Sequence, residues 1–241
     1  MHLFITTPHL KDDSLIITDE KLVHQLTHVL RIKPSEHLCV QETVGAMTQR
    51  RTVTCDAYSK KEVVTTIVDC QKRVKNESKI RLAIAFPNKR DKAELIVQKL
   101  TEVGVDEILF FTAQRSILRD CPEKKLQRME DIAREAVEQS WWRFLPTITC
   151  HKQLASCLAP GQRLLLADGN ESATIPLREL QANVWDLLCV GPEGGFTPEE
   201  VAFGKEKGTI VGLGNTVLRM ETAAIVGARV QVQKNLIQHS G

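Results

Sequence analysis

Hydrophobic positions along the chain change period once. Up to Val68 they fall in short β-favouring runs, Leu3 to Thr6, Leu15 to Ile17, Leu38 to Gln41, Thr52 to Ala57 and Val63 to Val68, broken by polar turns and by Gly45. One stretch differs. From Asp19 to Leu30 the apolar residues Leu22, Val23, Leu26, Val29 and Leu30 recur at helical spacing, Asp19 can cap the amino end, and Pro34 closes the segment. Five strands and one helix predict a small β-barrel. Gln71 to Lys79 carries no core pattern and reads as a polar linker. Beyond it strand and helix alternate. Ile80 to Phe86, Asp106 to Phe111, Thr147 to Cys150, Arg163 to Ala167, Asp186 to Val190 and Thr209 to Val211 read as strands. Asp91 to Val103 (ended by Gly104), Glu123 to Trp142, a short segment from His151 to Leu158, a segment starting after the cap Thr197, and Arg219 to Leu236 read as helices. Such alternation predicts an α/β fold with a parallel sheet covered on both faces. Small residues on one side of the last helix, Ala223, Ala224 and Gly227, would allow close packing, with a second subunit as one partner.

Composition adds bounds. At 241 residues and 42% hydrophobic content the chain can hold one large domain or two small ones. No apolar run reaches the roughly 18 residues of a membrane span, and the amino terminus lacks signal-peptide regions, so a cytoplasmic protein without a membrane partner is expected. Seven cysteines form no CxxC pair, which predicts buried reduced thiols and no metal site. Net charge is only +2, yet Lys72 to Lys92 holds eight basic residues against two acidic ones. Such a run is either a solvated face or, where it ends at a strand terminus beside a crevice, a phosphate-facing surface.

Candidate chemistry concentrates late in the chain. The run Asp186 to Val190 empties into Gly191-Pro192-Glu193-Gly194-Gly195-Phe196, and Thr197-Pro198-Glu199-Glu200 then has the form of a capping box with proline in the first turn. The strand Thr209 to Val211 leads into a second glycine-bearing loop, Gly212 to Arg219, and a second helix. Two such loops at the carboxyl ends of neighbouring parallel strands would face one ligand crevice.

The pair GPEGGFTPEE (Gly191 to Glu200) and LGNTVLRMETA (Leu213 to Ala223), in this order near the carboxyl terminus, resembles the ribosomal RNA small subunit methyltransferase E family of the SPOUT superfamily. The likeness extends to Lys99 to Val105, Gln114 to Ser116 and Glu135 to Ser140. It implies a PUA-like RNA-binding β-barrel over residues 1–72 and a SPOUT methyltransferase domain over 73–241 whose end is threaded as a trefoil knot. It also implies S-adenosylmethionine as cofactor, 16S ribosomal RNA in the small ribosomal subunit as partner, and a homodimer. The cofactor residues it implies are Leu166, Gly191, Pro192, Glu193, Gly194, Gly195, Leu213, Gly214, Val217, Leu218, Thr222 and Ala223. RNA contacts fall on Arg31, Lys89, Arg90, Lys92 and Arg119. The family's arginine before the first strand is His2 and Leu3 here, and another is Thr216.

The reaction implied is methylation of a uridine at N3, a nitrogen that becomes nucleophilic only on losing its proton. A cation beside the uracil oxygens would stabilise that anion. Arg219 is the leading candidate, because a cation at a helix amino end gains nothing from the dipole. Arg115 can reach the same mouth or clamp a phosphate, and Glu221 is the nearest carboxylate, read as a partner of Arg219 or an acceptor of loop amides. Three alternatives stay open: the same fold methylating another RNA position, a non-catalytic ribosome assembly factor, and a nucleotide-binding α/β protein.

Overall fold

The computed structural model describes every residue except 12, 45–46, 75–78, 117–122, 170–174, 182–185 and 239–241. The chain forms two compact units, Met1–Asn76 with Glu138–Phe144, and Glu77–Val137 with Leu145–Gly241.

The first unit contains strands β1 (Leu3–Ile5), β2 (His9–Lys11), β3 (Ser14–Ile17), β4 (His37–Val44), β5 (Met47–Tyr58) and β6 (Val63–Val74), with helix α1 (Glu20–His24) after β3. They pair in the order β1-β4-β5-β6-β3-β2, antiparallel except for β1 beside β4. The expected barrel is corrected to an open sheet, since β1 and β2 end the order and no pairing among the described residues joins them. β2 is three exposed residues paired with β3, and its other edge pairs with no strand among the described residues. The linker expected from Gln71 is corrected as well. β6 continues through Val74, with Gln71 opposite Arg50 and Arg73 opposite Thr48, because the long β5 supplies backbone partners that the exposed side chains of β6 do not advertise.

Asp19 caps α1 as expected, its carboxylate accepting from Leu22 N at 2.9 Å. The helix is not uniform, however. Gln25–Val29 forms a π-helical turn, and Thr27 Oγ1 donates to the Val23 carbonyl at 2.7 Å. A side chain competing for that carbonyl favours the wider turn. The result still places Leu22, Val23 and Leu26 in one core with Leu15, Ile17 and Val53.

The second unit contains β7 (Arg81–Ala85), α2 (Arg90–Val103), β8 (Glu107–Phe111), α3 (Glu123–Ser140, whose last residues belong to the first unit) and β9 (Thr147–His151). After a 3-10 turn at Leu154–Cys157 come β10 (Leu164–Ala167), β11 (Ile175–Pro176), β12 (Leu187–Val190), α4 (Pro198–Lys207), β13 (Gly208–Gly212) and α5 (Met220–Gln238). Seven strands, all parallel, follow the order β11-β13-β10-β12-β7-β8-β9. Each face has its own core. Leu82 and Ile84 pack with Ile96 and Leu100 of α2 and Ala224 and Ala228 of α5. Their neighbours Ala83 and Ala85 pack on the other face with Leu166, Cys189, Phe196 and Val201. Because β12 is inserted between β10 and β7, the sheet extends in both directions from that point. Crevices open at the carboxyl ends of strands where connections diverge in this way.

Two local details set the loops of this unit. Thr197 Oγ1 accepts from Glu200 N while Glu200 Oε2 accepts from Thr197 N, completing the capping box ahead of Pro198. Thr197→Ala is expected to cost about 1 kcal/mol, readable as a lower thermal midpoint. The small face of α5 is turned inward: a Cβ on Gly227 would stand 2.6 Å from Leu188 Cδ2, so its smallness serves packing on β12 rather than an outer surface.

Cys39, Cys55, Cys157 and Cys189 are buried free thiols, and burial pushes the Cys157 thiol up to about 12. Cys150 departs from the reduced-thiol expectation, being disulfide-bonded. No helix among the described residues is long and apolar enough to cross a membrane.

Candidate active site

Segments of or following five elements meet at the carboxyl side of the second unit's sheet and enclose a pocket of about 670 Å³. Ala167, Asp168 and Gly169 come from the end of β10, and Gly191, Pro192, Glu193, Gly195 and Phe196 from the loop after β12. The loop after β13 contributes Leu213 through Arg219, α5 adds Met220 and Ala223, and α2 adds Lys92. Its size falls within the range of roughly 300–1,000 Å³ of small-molecule sites.

The loop after β12 owes its shape to two of its glycines. A Cβ on Gly191 would lie 2.8 Å from the Phe196 ring, so the chain folds back on its own phenylalanine only without a side chain there. Gly195 takes φ 70°, left-handed backbone that favours glycine, as its N–H closes a turn onto the Pro192 carbonyl at 2.9 Å. From the loop after β8, Arg115 Nη1 donates to the Gly194 carbonyl and Gln114 N donates to Glu200 Oε1, each at 2.9 Å. The loop is therefore pinned from outside the pocket.

Charges in the site divide into paired and unpaired. Lys92 Nζ donates to Glu193 Oε1 at 3.0 Å and lies 3.6 Å from Glu221 Oε2. The hydrogen bond to Glu193, reinforced by the charges of both carboxylates, holds the Lys92 ammonium above the usual lysine range against partial desolvation. Glu221 Oε2 is buried and accepts no hydrogen bond from the described residues. Arg219 is exposed at the rim, one residue before α5, and its guanidinium has no hydrogen-bond or ion-pair partner among the described residues. Its carbonyl accepts from Ala223 N at 2.8 Å.

Of the residues singled out from sequence, Gly191, Pro192, Glu193, Gly195, Leu213, Gly214, Val217, Leu218, Arg219 and Ala223 line this one pocket, and so does Lys92, which was expected to contact RNA. Others lie elsewhere. Leu166 is fully buried in the core beneath it, because in a strand covered on both faces one neighbour faces the core while the chain end, Ala167 to Gly169, reaches the mouth. A Cβ on Gly194 would point at Arg115 rather than into the pocket, and Thr222 is exposed outside the lining. Arg115 grips the loop backbone, and Glu221 faces Lys92, not Arg219.

The basic run is dispersed. Lys79 and Arg81 both pair with Glu107, at 2.8 and 2.6 Å, and Arg90 pairs with Glu94 at 2.6 Å. Lys89 is exposed, as is Arg31 in the first unit at φ 52°, while Arg119 lies outside the described residues. Sequence reasoning placed Asp168 inside a cofactor loop, Leu166 to Gly169, without giving it a role of its own; it is a buried acid in the lining. Its signal was an acid at the carboxyl end of a strand. Among the described residues no group of three or more His, Cys, Asp or Glu side chains could hold a metal ion.

Comparison with known proteins fits this geometry. Residues 74–231 match the family model described as an RNA methyltransferase domain. The chain is 29% identical over 225 residues to the ribosomal RNA small subunit methyltransferase E of Bacillus subtilis, covering 87% of this chain and 86% of that protein. It is 27% identical to the enzyme of the same name from Mesomycoplasma hyopneumoniae, covering 89% and 92%. Among solved structures, the ribosomal RNA small subunit methyltransferase E of Neisseria gonorrhoeae bound to S-adenosyl methionine superimposes with a TM-score of 0.79 at 24% identity, covering 98% of each chain. A predicted RNA methyltransferase from Thermotoga maritima superimposes at 0.71 with 26% identity, covering 98% and 99%. With the matched model spanning well over half of its residues, the chain belongs to the RNA methyltransferase domain family.

Proposed function

We propose that this protein transfers a methyl group from S-adenosylmethionine to N3 of a uridine in 16S ribosomal RNA. The observation that carries the reading is Arg219, a cation without a hydrogen-bond or ion-pair partner among the described residues, at the rim of a glycine-loop pocket built at the carboxyl ends of β10, β12 and β13. The cofactor fits what lines the pocket. Leu213, Val217, Leu218 and Ala223 offer apolar walls, the glycine loops expose backbone amides and carbonyls, and Asp168 and Glu193 offer carboxylates to hydroxyl or amine donors.

When bound, S-adenosylmethionine supplies an electrophilic methyl group on a sulfonium. The chain's own task is then to bind, orient and stabilise charge. Backbone of the loops after β12 and β13 aligns the donor, so that the uridine nitrogen can approach in line. Arg219 places its guanidinium beside a uracil oxygen and lowers the cost of the anion formed as the N3 proton leaves to water. Glu221, engaged by Lys92, leaves that guanidinium uncompensated. Arg115 and Glu200 hold the loop after β12 in place.

RNA is gripped in this reading by exposed cations, Lys89 in the second unit and Arg31 in the first, the latter in a PUA-like RNA-binding role. A knotted carboxyl-terminal path, a homodimer, action on the small ribosomal subunit and a cytoplasmic location belong to the same reading.

The test incubates the protein with methyl-labelled S-adenosylmethionine and small ribosomal subunits lacking the modification, then identifies the labelled nucleoside by mass spectrometry. Labelled 3-methyluridine is the expected product. Another methylated nucleoside would replace the acceptor, and absence of label in protein that binds the RNA would replace the enzyme with a binding factor.

A further inference from the structure

Lys92 lies in the first turn of α2, after β7, whereas Glu193 follows β12 and Glu221 lies in the first turn of α5, after β13. One ammonium thus joins three separate elements at the pocket. Its side chain is 24% exposed, and those of Glu193 and Glu221 are 28% and 13% exposed, so the three charges are only partly screened. Two carboxylates gathered at one site repel each other unless a cation stands between them. The buried Glu221 Oε2, which accepts no hydrogen bond from the described residues, has Lys92 as its countercharge.

We propose that Lys92 is a positioning residue that holds the loop after β12 against the first turn of α5 and so sets the width of the cofactor pocket. The proposal rests on the methyltransferase reading for the identity of the ligand. It also removes Lys92 from the RNA contacts, because an ammonium engaged by two carboxylates presents no net positive charge to a phosphate. Lys89, exposed three residues earlier, keeps that role.

Three measurements on the full-length protein test it: calorimetric titration with S-adenosylmethionine, the salt dependence of binding to small-subunit RNA, and hydrogen exchange of the Gly194 and Gly195 amides without any ligand. Lys92→Met is expected to weaken cofactor binding by about tenfold. The slope of RNA affinity against salt should stay unchanged, and loop exchange should accelerate. Lys92→Arg should restore most of the affinity, since a guanidinium can also bridge two carboxylates. In a Glu221→Gln background the loss from Lys92→Met should shrink, the coupling expected of groups acting as a unit. This coupling stays readable even if Lys92→Met lowers the melting temperature.

Unchanged cofactor affinity together with unchanged loop exchange would overturn the brace. A salt slope reduced by about 0.7–0.9 would return Lys92 to a phosphate contact. Wild-type protein that binds no S-adenosylmethionine would overturn the methyltransferase reading instead, while the loop-exchange comparison still decides the brace.

Discussion

Replacing Arg219 with alanine is expected to lower the single-turnover rate of RNA methylation by about 10²- to 10³-fold, the usual consequence of removing one preorganised donor from a developing anion. Cofactor affinity should change little, because the guanidinium is exposed at the rim and makes no hydrogen bond or ion pair to the other described residues that line the pocket. Both cations line the pocket, but the charge of Lys92 is taken up by Glu193 and Glu221, whereas that of Arg219 meets no carboxylate among the described residues. Arg219→Lys should recover part of the rate, since a point charge replaces a planar fork. Rapid-quench measurement at saturating cofactor and RNA separates this from binding. An unchanged single-turnover rate would remove Arg219 from the chemistry.

Gly208→Ala is expected to give the largest loss of stability, about 3 kcal/mol, at the upper end of what overpacking costs. A Cβ there would stand 1.9 Å from the Leu164 carbonyl oxygen, and the obstacle is backbone of the paired strand β10, which cannot rotate aside as a side chain can. Backbone handedness is not the issue, since φ is 173° and extended. With no loop between Lys207 and Gly208, β13 cannot slide to relieve the clash without dragging α4. The thermal midpoint should fall by about 6–12 °C, and cofactor affinity should fall with it because β13 feeds the loop that carries Leu213 to Arg219. A circular-dichroism melt and a binding titration check both, and a melt matching the wild type would mean that β13 is seated differently.

Legibility in the sequence followed the physics of each segment. Thr197 and Glu200 announced a helix start because a capping box is local chemistry, complete within four residues, and the structure forms it as read. The strands of the second unit were legible as short apolar runs, yet their in-or-out alternation was not. With cores on both faces, Leu82 and Ala83 are buried alike, and Leu166 gave no sign that it faces the core instead of the pocket. Polar strands were illegible for the opposite reason. Gln71 to Val74 and His9 to Lys11 are exposed, and only backbone pairing with β5 and β3 makes them strands. The Lys92–Glu193 contact joins residues 101 positions apart, so no spacing rule could reveal that part of the basic run was spoken for. Arg219 could be singled out because its oddity, a cation at a helix amino end, is again local.

The placement of β12 bears on how the protein is made. β7, β8 and β9 can pair as soon as they leave the ribosome, and β10 follows, but β10 and β7 meet only through β12, whose residues emerge later. Until then β7 and β10 each present a bare edge, the kind of surface on which nascent chains stick to one another. The same late segment carries the glycine loop, and α5, which brings Glu221, comes later still. A chain stopped short of β12 would lack the seal between the two halves of its sheet, and one stopped short of α5 would still lack a wall of the pocket, so occupancy of that pocket reports that the chain has been made through α5.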